Sequence, residues 1–176
     1  MPRPGERLKM FLMALTLAAV EPPPRPMEVE VIRDAITDQV RAFATVRAGR
    51  DRLVVSCDPA RYRGVRVSFH AAHWLSRGNL FTGERPVVFR FDDLPPRRMM
   101  WDVDNRRGML TGSRVYNFLN HLVAADRLVI RTRDIENHRY DFTFRLLGVR
   151  PAVDQALAAC RGSPPPAEPA PPRTLP

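Results

Sequence analysis

Residues 40–57 read VRAFATVRAGRDRLVVSC, and this stretch decides the fold class. Apolar and polar residues alternate in its first part, and β-branched residues dominate its last part. Such alternation is typical of strands, because successive side chains of a strand face opposite sides of a sheet. Gly49-Arg50-Asp51, between the two parts, has the composition of a turn. The stretch therefore predicts a β-hairpin, with a helix over residues 37–48 as the alternative because alanine is common there.

The period of two recurs along the chain. Val29 and Val31 alternate with charged neighbours, and further segments are rich in β-branched and aromatic residues. These predicted strands are 65–69, 87–91, 128–132 and 140–146. Because no regular helical crossover separates them, we expect the strands to pair in an antiparallel way.

Two segments have helical spacing instead. Ser113 is placed to cap a helix with Val115, Phe118, Leu119, Leu122 and Val123 on one face. Pro151 is placed to open a second helix with Val153, Ala156, Leu157 and Cys160 on one face. The predicted fold class is mainly β (α+β): an antiparallel sheet or β-sandwich with two packed helices.

The ends of the chain differ in composition from its middle. Residues 1–18 combine Arg3, Arg7 and Lys9 with a short apolar run and the small-residue site Thr16-Leu17-Ala18, which is typical of a signal peptide. A buried N-terminal helix is the alternative. Residues 19–26 and 162–176 are rich in proline and are predicted to be a spacer and a disordered tail. One β-rich domain is expected over residues 27–161, located in the periplasm or secreted.

The composition excludes some classes of function. A hydrophobic fraction of 44% is too low for a multi-span membrane protein, and the apolar N-terminal run is shorter than the roughly 20 residues that cross a bilayer. The net charge of +9 rests on 28 basic residues, of which only Lys9 is a lysine. A biased source genome explains this preference for arginine more simply than a nucleic-acid ligand. We therefore predict no integral membrane span and no nucleic-acid partner.

Cys57 and Cys160 are the two cysteines of the chain. An even pair is usually joined in an oxidising compartment, so export would predict one disulfide between them. Two buried free thiols are the alternative if the protein is not exported.

No residue pattern specifies a reaction. His70 and His73 have HxxH spacing, but no third ligand lies nearby in the sequence, so no metal ion is predicted, and no cofactor is predicted either. The chain lacks the nucleophile elbow, the phosphate-binding loop and the zinc-protease motif. Acid–base chemistry would have to come from His73, Asp92, Asp102 and Asp104, although solvated turn residues are the simpler interpretation of these carboxylates.

One short segment is a candidate binding site. Arg97 and Arg98 offer a basic rim for an anionic polymer, and an exposed Trp101 beside Asp102 would stack on a sugar ring. The alternative is that Trp101 packs in the core and the arginines lie in a loop.

The order of several short segments resembles a known family. The segments are Asp34–Asp38, Leu53–Cys57, Val88–Asp92 with Pro95 and Trp101, Phe118-Leu119, Ala125–Arg131, Phe142–Phe144 before Leu147-Gly148, and Ala159-Cys160. Together they are similar to the VasI/TagO family of type VI secretion-associated proteins. The resemblance covers residues 34–160 and implies an exported domain with one cysteine early and one in its last helix.

The expected function is therefore that of a non-enzymatic periplasmic accessory or binding protein, associated with a type VI secretion system. Its expected partner is an envelope protein or peptidoglycan, contacted through one face of the sheet. Two alternatives remain open. One is a peptidoglycan hydrolase that uses the carboxylates named above, and the other is a secreted virulence-related protein that binds a host surface through its arginines.

Overall fold

The computed structural model describes residues 25–58, 64–75, 83–134 and 136–161. Within these residues, nine strands form one antiparallel sheet, and two helices pack on it. The predicted mainly β fold class is confirmed. The predicted signal peptide, nearly all of the spacer and the tail lie outside the described residues, and in the described part no helix is long and apolar enough to cross a membrane.

The sheet consists of a four-stranded meander, a three-stranded meander and a final hairpin. Its strand order is β1-β2-β3-β4-β7-β6-β5-β8-β9. The strands are β1 (Glu28–Arg33), β2 (Val40–Ala48), β3 (Asp51–Cys57), β4 (Val65–His70), β5 (Glu84–Phe91), β6 (Arg97–Asp104), β7 (Arg107–Leu110), β8 (Arg127–Arg133) and β9 (Arg139–Arg145). The helices are α1 (Arg114–Leu122) and α2 (Val149–Cys160).

The predicted hairpin is confirmed as β2 and β3, and the alternative of a helix over residues 37–48 is wrong. Ala42 pairs with Cys57 and Ala48 with Asp51, so that only Gly49 and Arg50 connect the strands. Gly49 has a φ of +60°, a left-handed conformation that glycine adopts without steric cost. Burial on one face of the hairpin overrides the helical preference of its alanines.

The sheet curls until strands from its two halves touch. The ring of Phe69 on β4 lies 5.6 Å from that of Phe142 on β9, although four strands separate β4 from β9 in the sheet. α1 fills the interior between the halves with Phe118, whose ring lies 5.2 Å from Phe89 and 5.4 Å from Trp101. The inner face of the sheet is thereby closed around an aromatic core.

Both predicted helices are present, and they differ from expectation in how their first turns are formed. Ser113 precedes α1, but its side chain makes no capping hydrogen bond; the Val115 amide instead donates to the Gly112 carbonyl at 3.1 Å. α2 begins at Val149, two residues before Pro151. α2 packs on β1, β2 and β3, where Ala42 and Ala44 leave room for a helix to approach the sheet closely.

Candidate functional site

The outer face of the second half of the sheet is dominated by arginine. Because strand residues alternate between faces, the even residues of β5 and β6 and the odd residues of β8 and β9 point outward. Over the end of this face that lies beside the β5–β6 turn, the outward side chains include five arginines and one acid. They are Arg90, Arg98, Arg127, Arg131, Arg145 and Asp141.

A shallow groove with a cavity volume of about 170 Å³ lies among these arginines. The groove is lined by Val88, Phe89, Arg90, Pro96, Val129 and Arg131. The strand register explains this composition: Val88 pairs with Arg98 on one side and Arg131 on the other, and Arg90 pairs with Val129. Small apolar and long cationic side chains therefore alternate across the strands, which leaves an apolar floor below a basic rim.

One side of the groove is held rigidly by an ion pair. Arg131 donates from Nε and Nη2 to the two carboxylate oxygens of Asp141, both at 2.7 Å. This bidentate bond raises the pKa of Arg131 and lowers the pKa of Asp141. The guanidinium of Arg131 is therefore both permanently charged and fixed in position.

Three other arginines of this face have no acidic partner in the described ranges. Arg127 is paired with Asp93 at 3.0 Å, but Arg90, Arg98 and Arg145 make no ion pair there. Their guanidinium groups are exposed and keep all five N–H donors for a ligand or for water. An arrangement of this kind favours a ligand with carboxylate or phosphate groups.

The predicted binding segment is divided between the two faces of the sheet. The alternative that Arg97 and Arg98 lie in a loop is wrong, because both belong to β6, whereas Trp101 is 0% exposed. The interpretation of Trp101 as an exposed stacking residue is therefore wrong, and the alternative that it packs in the core is confirmed. Its ring lies 5.6 Å from that of Phe69.

The other three residues of that segment take different positions. Arg97 lies at the rim of the inner side and contacts the ring of His121 at 3.2 Å. Arg98 points outward beside the groove, whereas Asp102 is four residues further along the same face and pairs across the strands with Glu84 and Met109. Only Arg98 of the predicted segment therefore borders the groove. Arg90, Arg131 and the two valines were not predicted as site residues. The signal for them in the sequence is the alternation of valine and arginine along one face of β5 and of β8.

The residues named for hydrolysis do not meet. Asp92 lies at the β5–β6 turn, where its Oδ1 accepts hydrogen bonds from the amides of Asp126 at 3.0 Å and Arg127 at 2.8 Å. Asp102 pairs with Glu84 at the opposite end of β5, roughly 25 Å away by strand rise, and Asp104 follows Asp102 on the same outer face. The ring of His73 lies 3.8 Å from that of Tyr140 and packs toward the core. Asp92 is therefore remote from Asp102 and Asp104, and His73 does not share their face.

The histidine pair does not form a metal site. His70 points outward from β4, where Arg52 donates to its Nδ1 at 3.5 Å and its Nε2 lies 3.2 Å from the Ser68 hydroxyl. Burial, together with Arg52 and Arg107, lowers the pKa of His70 from 6.5 to about 4. No group of three potential metal ligands occurs among the residues that the structure describes.

Cys57 is buried at the end of β3, on the inner face on which α2 packs. The side chain of Cys160, the last residue of α2, lies outside the described part of the chain. The disulfide between Cys57 and Cys160 thus stays a prediction.

The groove and its arginines are the best defined candidate site, and comparison with known proteins adds no assignment to it. The chain matches no family model, no curated protein and no solved structure.

Proposed function

We propose that this protein is an exported, non-enzymatic accessory module of the cell envelope that binds peptidoglycan through the arginine-rich outer face of its sheet. The observation that carries the proposal is the groove lined by Val88, Val129, Arg90 and Arg131. Arg98 lies beside it as the cross-strand neighbour of Val88. We also propose that the protein is associated with a type VI secretion system. This part rests on the resemblance of its ordered segments to the VasI/TagO family.

The chemistry of the groove suits the peptide stems of peptidoglycan. These stems carry carboxylates, which guanidinium groups bind in bidentate geometry, and small alanine side chains, which fit an apolar floor. Arg131 is already neutralised by Asp141, so Arg90 and Arg98 are the residues expected to bind the ligand carboxylates. Arg131 and Asp141 instead hold the wall of the groove in place.

Cosedimentation with purified peptidoglycan sacculi tests the proposal. We expect the wild-type protein to bind, and the double substitution Arg90→Glu with Arg98→Glu to weaken binding by about tenfold or more, because two attractive contacts become repulsive. Binding should also fall as salt rises from about 0.05 to 0.5 M, since exposed charges are screened.

A matched control separates the site from net charge. Arg150→Glu with Arg161→Glu makes the same change in charge on α2 and on the residue that follows it, where both arginines are exposed. We expect this control to bind sacculi nearly as well as wild type. Equal losses in both double variants would mean unspecific attraction. Binding to heparin without binding to sacculi would favour the host-surface alternative.

Export and oxidation are tested by intact mass of the protein from periplasmic and culture fractions of its native host, with and without reduction and alkylation. We expect loss of residues 1–18 and a Cys57–Cys160 bridge. A full-length, reduced, cytoplasmic protein would overturn the proposal. For the secretion system, the position of the gene is informative: a gene isolated from any secretion locus would count against the association.

A further inference from the structure

Of the two tryptophans of the chain, the first, Trp74, lies at the surface. Trp74 is 49% exposed, whereas Trp101 is fully buried. Trp74 lies in residues 71–75, which follow β4 and pass over the turn between β6 and β7. A half-exposed indole offers part of its flat apolar face to a ligand.

The backbone around Trp74 is fixed on both sides. The amide of Ala71 donates to the Arg106 carbonyl at 2.8 Å, and the amide of Leu75 donates to the Asn105 carbonyl at 2.6 Å. Ala72 donates to Asp51 Oδ1 at 2.7 Å. Because Leu75 is fully buried, the segment is anchored immediately after Trp74. The indole is thus presented by an ordered segment, which reduces the entropy that a ligand must overcome.

The preceding residue adds a side-chain anchor. The ring of His73 stacks on Tyr140 at 3.8 Å and on Phe142 at 5.4 Å. His73 therefore packs toward the core while its neighbour Trp74 stays exposed.

The neighbouring turn supplies charged groups of both signs. Asp104, Arg106 and Arg107 are all exposed there, and Asp51 lies on the other side of the segment. Carboxylates accept hydrogen bonds and guanidinium groups donate them, which is the mixture that sugar hydroxyl and amide groups need. Other exposed apolar residues of the described chain, such as Ile32, Ile36 and Leu94, lie on β1 or in turns outside residues 71–75.

We infer that Trp74 is the stacking platform of a glycan subsite, which takes one pyranose ring of an envelope polysaccharide with Asp104, Arg106 and Arg107 as polar contacts. The inference builds on the proposed function and adds the sugar component of the ligand. Arg98 and Asp104 lie six residues apart on β6, roughly 20 Å, so only a polymer reaches from the groove to Trp74.

A single-stranded nucleic acid is the less suitable ligand. Proteins that bind it by stacking present several aromatic rings in a row along a basic groove. In the described chain the other large exposed aromatic residue is Tyr116, on α1. Beside Trp74, the carboxylates of Asp51 and Asp104 also offset the charges of Arg106 and Arg107, so no strong positive charge attracts phosphates there.

The test uses the uncharged tetrasaccharide of β-1,4-linked N-acetylglucosamine as the probe and the two indole N–H resonances as the readout. We expect the Trp74 resonance, assigned with Trp74→Phe, to shift on titration, and the Trp101 resonance to stay in place. Trp74→Ala should weaken binding about tenfold, measured by chemical shifts of nearby amides. Tyr116→Ala is the matched control and should bind like wild type.

Each negative result overturns the inference. It is wrong if the tetrasaccharide leaves the Trp74 resonance unchanged, if Trp74→Ala binds as tightly as wild type, or if a thymidine octanucleotide shifts the resonance and the sugar does not. The unchanged Trp101 resonance of each variant reports that the core is intact. Arg90→Glu with Arg98→Glu should not affect this uncharged probe, so failure of the proposed peptidoglycan contact through the groove and failure of the sugar subsite are separable.

Discussion

The inner and outer faces of β5, β6 and β8 are built from alternate residues of the same strands, yet they have opposite properties. The inner face carries Trp101 and Phe89, packed edge-on against Phe118 of α1. The outer face carries Arg90 and Arg98 around a groove. Close packing on the inner face stabilises the fold, whereas the open, charged outer face leaves donors for a ligand. The alternation of side chains along these strands thus places residues that stabilise the fold on one face and residues available to a ligand on the other.

The largest expected difference between the faces comes from truncating Trp101. Trp101→Ala leaves a cavity between the rings of Phe69 and Phe118 and should reduce the free energy of unfolding by about 3–5 kcal/mol. Arg98→Ala, on the opposite face of the same strand, should change it by about 0.5 kcal/mol or less. Urea denaturation followed by circular dichroism measures both. A similar loss in the two variants would contradict the separation of the faces.

A smaller effect is expected from adding a methyl group to the inner face. A Cβ at Gly108 would overlap the ring of Phe69, its cross-strand partner, which cannot move because it is itself fully buried. We expect Gly108→Ala to cost about 1–3 kcal/mol in the same measurement. The neighbouring Met109 points outward, so Met109→Ala should be nearly neutral; a neutral Gly108→Ala would show that the inner face repacks easily.

The smallest effect is a pH dependence on the outer face of the first half of the sheet. The pKa of His70 is lowered to about 4 in the folded protein, by burial and by Arg52 and Arg107. Between pH 6.5 and 4, His70 is therefore protonated in the unfolded state but mostly neutral in the folded state. The free energy of unfolding consequently falls as the pH falls through this range. The shift corresponds to about 3 kcal/mol, which solvent at this partly exposed site reduces to about 1–2 kcal/mol.

Comparing urea midpoints at pH 7 and pH 4.5 measures this loss. His70→Gln has no ring to protonate and should lose less stability between the two pH values than wild type does. An equal loss of stability in both proteins would mean that protonation of carboxylates, and not of His70, causes the pH dependence.

The elements that followed one clear period were predicted well. The β2–β3 hairpin, the two helices and the strands β4, β5, β8 and β9 lie within a few residues of their expected bounds, because one buried face imposes one period on each. β6 and β7 were missed. Pro95-Pro96, Arg97-Arg98 and Met99-Met100 are pairs of like residues, which hide the alternation of a strand.

The sequence by itself determined most of the secondary structure and the abundance of arginine on the solvent-facing side of the strands, since both follow from the local order of apolar and charged residues. It did not determine which tryptophan is buried or which arginines lie together. Trp101 is covered by Phe69 and Phe118 from distant parts of the chain, while Trp74 stays exposed beside the buried Leu75. Arg90 and Arg131 line one groove, with Arg98 beside it, only because β5 pairs with both β6 and β8. Exposure and clustering depend on contacts between remote segments, which local periodicity does not encode.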